Sequence, residues 1–164
     1  MRWFRSILVV IMSCVAQFAL AQDSDSPTIY QQITVLANNY KAEKSVKSMV
    51  CDGGVMLKTV KMMLRKDFGK EFIHNINAFA IIVYKDAKKE VTDRILREIE
   101  AIASPLQQIN IDDKVRAGAK ARGFVQLTDD KTKLTDLLII SETPAPKLIY
   151  FKGSFAPENI DYKK

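Results

Sequence analysis

The stretch over residues 134–155, L-T-D-L-L-I-I-S-E-T-P-A-P-K-L-I-Y-F-K-G-S-F, decides the fold of this chain. It contains two runs rich in leucine, isoleucine and aromatic residues, separated by a short polar segment with two prolines. Such runs favour a pleated, half-buried backbone, and proline between them interrupts the hydrogen-bond ladder and forces a connection. The stretch therefore predicts two antiparallel strands. Their alternating faces carry Ile149, Phe151 and Phe155 on one side and Leu148 and Tyr150 on the other.

The remainder of the chain supplies elements that can cover this strand pair. Apolar residues at helical spacing predict helices over 27–40, 55–67 and 87–103, and apolar runs predict strands over 45–51, 78–84 and 122–128. A composition of 48% hydrophobic and 27% charged residues is that of a globular chain. The sequence predicts one α+β domain over residues 22–164, with an antiparallel or mixed sheet of four to five strands and helices packed on one face.

The first 21 residues have the pattern of a secretory signal peptide. Arg2 and Arg5 precede an apolar segment over residues 7–18, and Ala19-Leu20-Ala21 offers the small residues of a cleavage site. The apolar segment is too short to span a bilayer, and no later one is long enough. The residues before Cys14 also loosely resemble a lipobox, so a lipid anchor at Cys14 is the alternative. We therefore expect an exported protein, periplasmic or associated with the outer envelope.

Charge limits the possible partners, and cysteine content limits the possible disulfides. Removing residues 1–21 leaves 23 basic and 19 acidic residues, a net charge of +4. An exported protein of this charge is expected to meet an acidic envelope protein or an anionic membrane surface, and not nucleic acid. Only Cys51 remains after cleavage, which excludes an intramolecular disulfide.

The end of the chain resembles a known family. Three segments carry the resemblance: L-T-D-L-L-I-I at residues 134–140, L-I-Y-F at residues 148–151, and Gly153 followed by P-E-N-I at residues 157–160. They resemble the secreted domain-of-unknown-function family 4252 of Bacteroidota. The resemblance is specific in about the last thirty residues. It implies a short periplasmic or lipid-anchored α+β protein with no established activity. Genes of family members lie beside genes of extracytoplasmic sigma factors, and the resemblance therefore implies a connection with envelope signalling.

Reactive residues are few. Cys51 with His74 as its base, and an acid that the sequence does not identify, would form a small hydrolase site, because a neighbouring imidazole can generate a thiolate. No local motif marks this pair, and two such ligands are too few for a zinc site. The glycines at 118 and 123 have the spacing of a phosphate loop but lack its lysine and hydroxyl residues. We expect no cofactor and no metal.

The helix predicted over 55–67 carries the best candidate for a contact surface. Leu57, Val60, Leu64 and Phe68 form its apolar stripe, which Met56 and Met63 flank. Opposite this stripe, Lys58, Arg65 and Lys66 fall within one outward arc, together with Met62. No acid neutralises them along the helix. The sequence therefore favours a non-enzymatic module that binds a protein partner or an anionic envelope surface, with the hydrolase as the alternative.

Overall fold

A computed structural model of the protein describes residues 26–109, 111, 120–143 and 145–156. Over these residues the chain forms four helices and six strands. The helices are α1 (Ile29–Asn39), α2 (Gly54–Phe68), α3 (Lys70–His74) and α4 (Lys89–Ala103), and the strands are β1 (Lys47–Cys51), β2 (Ile76–Val83), β3 (Gln107–Ile109), β4 (Lys120–Leu127), β5 (Leu134–Thr143) and β6 (Lys147–Phe155). The expected signal peptide lies outside the described residues.

The six strands form one sheet in the order β1-β2-β6-β5-β4-β3, with every neighbouring pair antiparallel. The strand pair predicted from residues 134–155 is β5 and β6, and it lies at the centre of the sheet. In its register Leu137 faces Phe151 and Leu138 faces Tyr150. The α+β prediction is confirmed. Of the two sheet types that it allowed, antiparallel or mixed, the sheet is antiparallel, and it has six strands instead of four or five. The three residues of β3 are too few to give a recognisable alternating pattern in the sequence.

Helices cover both faces of the sheet, so the prediction that they pack on one face is wrong. On the first face α1 and α4 cover side chains that include Ala80, Leu138 and Tyr150. On the second face α2 and α3 cover Phe79, Leu137 and Phe151. The central strands are apolar on both sides of the pleat, and each side needs its own cover from water.

The alternation of side chains along β6 follows the predicted register. Leu148 and Tyr150 belong to the core under α1 and α4, whereas Phe151 and Phe155 belong to the core under α2 and α3. Tyr150 and Phe151 are both 0% exposed, so both sides of the strand are buried at this point. Each residue of this pair anchors a separate hydrophobic core.

Two local features differ from the sequence-based boundaries. The first helix begins at Ile29 and not at residue 27, because Thr28 and Gln31 form a capping box in which each side chain binds the other's backbone N–H. The short helix α3 was not predicted. Gly69, at φ 80°, separates it from α2 and turns the chain so that Phe72 enters the core. There the Phe72 ring stacks on Phe155 with the ring centroids 4.5 Å apart.

Candidate binding surface on helix α2

The position of α2 is fixed by its apolar stripe. Leu57 and Val60 are buried against the sheet, while Leu64 and Phe68 are partly buried at the edge of the same core. Residues three, four and seven apart lie on one side of a helix, so this stripe turns the other side of α2 toward solvent. Arg65 and Lys66 lie in the last turn, where cations interact favourably with the negative end of the helix dipole.

The three predicted contact residues are all on the solvent side. Lys58, Arg65 and Lys66 are exposed, and none of them takes part in an ion pair with another side chain that the structure describes. Lys61 differs from them: it is partly buried, and its Nζ donates to the backbone carbonyl of His74 at 3.3 Å. Lys61 therefore ties α2 to the end of α3, whereas no described contact gives the other three cations a comparable role.

Four large apolar side chains of α2 are also exposed to solvent. The exposed fractions are 80% for Val55, 54% for Met56, 77% for Met62 and 72% for Met63. Among the described residues, only Val35 on α1 is another exposed large hydrophobic residue. Single exposed hydrophobic residues are ordinary on protein surfaces, whereas large contiguous apolar patches are uncommon on monomeric soluble proteins.

The outward arc predicted from the sequence includes Met62 but neither Met56 nor Met63. These two residues flank the buried stripe, and the structure leaves both exposed. The sequence pattern that identifies them is a spacing of seven residues, which places two side chains about two turns apart on one side of a helix. Three pairs have this spacing: Val55 with Met62, Met56 with Met63, and Lys58 with Arg65. We define the outer face of α2 as Val55, Met56, Lys58, Met62, Met63, Arg65 and Lys66.

The outer face is basic as well as apolar. The sequence of α2 contains four basic residues and a single acidic one, Asp67. Around the helix, Lys66 falls between the Val55/Met62 line and the Met56/Met63 line, while Lys58 and Arg65 fall beside the first line. Cations therefore border the apolar lines. The outer face combines positive charge with apolar area that is in contact with water.

The alternative thiol site would use Cys51 and His74. Cys51 ends β1 and is 7% exposed, and burial, followed by the nearby Asp52 carboxylate, raises the pKa of its thiol. A nucleophilic cysteine needs the opposite shift. No hydrogen bond among the described residues joins Cys51 to His74, which ends α3, and no described group of three or more His, Cys, Asp and Glu residues could hold a metal ion.

A cavity of about 480 Å³ opens at the other end of the sheet from the β5–β6 connection. Glu71, Asn75, Lys133 and Ser154 contribute its polar lining, and Phe155 contributes apolar surface. Neither Cys51 nor His74 lines it, and it contains no residue of α2. The cavity therefore supports neither the thiol site nor the basic surface.

Comparisons with known proteins give no further guide to the site: no family model, curated protein or solved structure matches this chain. Among the described helices, none is both long enough and apolar enough to cross a membrane.

Proposed function

We propose that this protein is a non-enzymatic module that binds an acidic partner through the outer face of α2. The partner is either an anionic membrane surface or an acidic envelope protein. The observation that carries the proposal is the coincidence, on one helix, of three exposed cations with four large exposed apolar side chains.

The energetics of the two residue classes support a docking role. While they are exposed, the methionine and valine side chains do not stabilise the fold. Covering them on binding removes apolar area from water, which is favourable by about 25 cal/mol per Å². Lys58, Arg65 and Lys66 can each meet an anion on the partner, since no described ion pair occupies them. The attraction of exposed charges weakens as salt rises, which gives the proposed interaction a measurable signature.

The proposed place of action is the cell envelope, after export. This part rests on the signal-peptide pattern of residues 1–21 and on the resemblance of the C-terminal strands to the secreted family 4252. A module that docks on envelope components fits the association of that family with envelope signalling.

The test is co-sedimentation with total envelope membranes, which contain both candidate kinds of partner, from cells that express the protein. The variant is Lys58→Glu, Arg65→Glu and Lys66→Glu together. The matched control is Lys41→Glu, Lys44→Glu and Lys85→Glu, three exposed lysines away from α2, whose replacement changes the net charge by the same amount.

We expect wild type and control to sediment with the membranes and the α2 variant to remain in the supernatant. The thermal midpoints of all three proteins should agree closely, because surface substitutions usually change stability by less than about 0.5 kcal/mol. Equal sedimentation of the α2 variant and the wild type would refute the proposed function.

A further inference from the structure

We infer that the partner of the outer face of α2 is the anionic headgroup layer of a phospholipid membrane, with the helix lying in the plane of the interface. This inference rests on the proposed function and selects one of its two kinds of partner. The acidic protein becomes an outcome of the test.

The position of Lys66 beside the apolar lines favours lipid over protein. Viewed down the helix axis, Lys66 lies at an angle between the lines Val55/Met62 and Met56/Met63, about one turn beyond Met62 and Met63. A protein pocket that covered both lines and this next turn would bury the Lys66 ammonium, which is costly unless an acid is placed opposite it. In a lipid layer the aliphatic stem of lysine lies beside the apolar side chains while its ammonium reaches the phosphates above them.

The residue types on the outer face also suit a fluid surface. Three of its four apolar residues are methionine, an unbranched and flexible side chain that adapts to irregular surroundings. The same side chains are more than half exposed, so they project from the convex surface of a helix. A rigid protein would need a matching hollow for each one, whereas acyl chains rearrange around them.

The three pairs at seven-residue spacing define how the helix would lie. The members of each pair are separated by about 10 Å along the axis, so each pair forms a line parallel to it. Apolar and basic contacts are therefore available at both ends of α2, which sets its axis parallel to the membrane. Because α2 packs on the second face of the sheet, α1 and α4 would lie on the side away from the lipid.

The experiment measures partition onto vesicles of pure phosphatidylcholine and of phosphatidylcholine mixed with phosphatidylglycerol in equal amounts. The protein is the chain starting at Gln22, so that the apolar N-terminal segment does not itself bind lipid. All buried hydrophobic residues of the described ranges lie between Ile29 and Phe155, so this chain keeps the described cores. A thermal melt confirms that each variant is folded.

We expect binding to the anionic vesicles and little binding to phosphatidylcholine alone. Each basic residue near an anionic surface contributes about fivefold in affinity, so the Lys58, Arg65 and Lys66 to Glu variant should bind at least about 100-fold more weakly. The Lys41, Lys44 and Lys85 to Glu control should keep most of the affinity. In about 1 M salt, where the Debye length is about 3 Å, wild-type binding should fall steeply.

A second pair of variants tests the apolar contact separately from charge. Met56→Gln, Met62→Gln and Met63→Gln together leave the net charge unchanged and should weaken binding to the anionic vesicles. Val55→Trp provides a single reporter, since the only tryptophan of the sequence is Trp3, and its emission should shift to the blue on binding. An unshifted emission from bound protein would overturn the insertion of the apolar lines.

Failure of this inference is distinguishable from failure of the proposed function. Absence of binding to the anionic vesicles, or equal binding by wild type and the α2 Glu variant, overturns the lipid inference. If sedimentation with envelope membranes nevertheless depends on Lys58, Arg65 and Lys66, the proposed function stands with an acidic protein as the partner.

Discussion

Two buried tyrosines show how differently one residue type can serve this fold. Tyr84 is almost fully buried, and its hydroxyl has no hydrogen-bond partner among the described residues. Tyr150 is fully buried, and its hydroxyl donates to Oδ1 of Asp136 at 2.5 Å. Burial is the main cause that raises the pKa of Tyr84 to about 12, and burial followed by the Asp136 hydrogen bond raises the pKa of Tyr150. Both phenols therefore stay neutral at physiological pH.

The first prediction compares the loss of these two hydroxyls. Tyr150→Phe removes the donor from a buried carboxylate, so we expect the free energy of unfolding to fall by about 1.5–3 kcal/mol. The Tyr84 hydroxyl is shielded from water and has no described hydrogen-bond partner. We therefore expect Tyr84→Phe to cause no loss and a small gain in the free energy of unfolding. Urea denaturation at neutral pH measures both. A larger loss for Tyr84→Phe than for Tyr150→Phe would contradict the hydrogen-bond assignment.

At the scale of elements, the close approach of β6 to the turn after α3 requires a glycine. A Cβ built on Gly153 would meet the backbone oxygen of Asn75, and would lie 2.5 Å from Cζ of Phe155. The same Asn75 oxygen accepts the N–H of Ser154 at 3.3 Å, so the two segments are joined at this point. Gly153 thus has a packing reason in this structure.

The second prediction follows from this contact. Gly153→Ala should destabilise the protein by about 1–3 kcal/mol, because the added methyl meets backbone that cannot move aside without breaking a strand contact. Gly53→Ala is the control, since no atom lies within 4 Å of the position of its added Cβ and its φ of 171° suits any residue. Thermal melts of both variants test the difference. Equal midpoints would show that β6 and the α3 turn are not this close.

At the scale of the whole molecule, one sheet separates two hydrophobic cores. Tyr150 anchors the core under α1 and α4, and the next residue, Phe151, anchors the core under α2 and α3. Its ring packs edge-on against Phe68 and Phe72, with centroid distances of 5.1 Å and 5.3 Å. Because Tyr150 and Phe151 are both fully buried, neither position should tolerate a charge.

The third prediction tests this arrangement. Phe151→Asp and Tyr150→Asp should each prevent folding, because burying an unpaired carboxylate costs several kcal/mol against a total stability of about 5–15 kcal/mol. Tyr150→Asp also places a second acid near Asp136. Ser154→Asp, on the exposed part of the same strand, is the control and should remain folded. Circular dichroism and amide exchange report the outcome, and a folded Tyr150→Asp would mean that α1 and α4 do not cover this face.

The fourth prediction concerns export. Envelope protein should begin at Gln22, because Ala19 and Ala21 present the small residues that signal peptidase requires. Intact-mass measurement of the purified protein decides the matter. A mass that corresponds to a chain beginning at a diacylated Cys14 would overturn simple cleavage and would establish a lipid anchor.

The sequence by itself determined the features that depend on local periodicity. Two apolar runs around a proline-containing segment predicted β5 and β6, and strict alternation of side chains predicted that Tyr150 and Phe151 face opposite ways. Helical spacing placed Lys58, Arg65 and Lys66 opposite the stripe of Leu57 and Val60, and the structure exposes all three cations. These properties depend on neighbouring residues within one element.

Only the tertiary structure decided which elements meet. The placement of β6 between β2 and β5, and the cover of both sheet faces, depend on contacts between segments that are far apart in the chain. The exposure of Met56 and Met63 was decided in the same way, because an apolar residue at the margin of a helical stripe is buried only if the sheet extends beneath it. The outer face of α2 is apolar because the sheet beneath that helix meets Leu57 and Val60 and leaves the methionines uncovered.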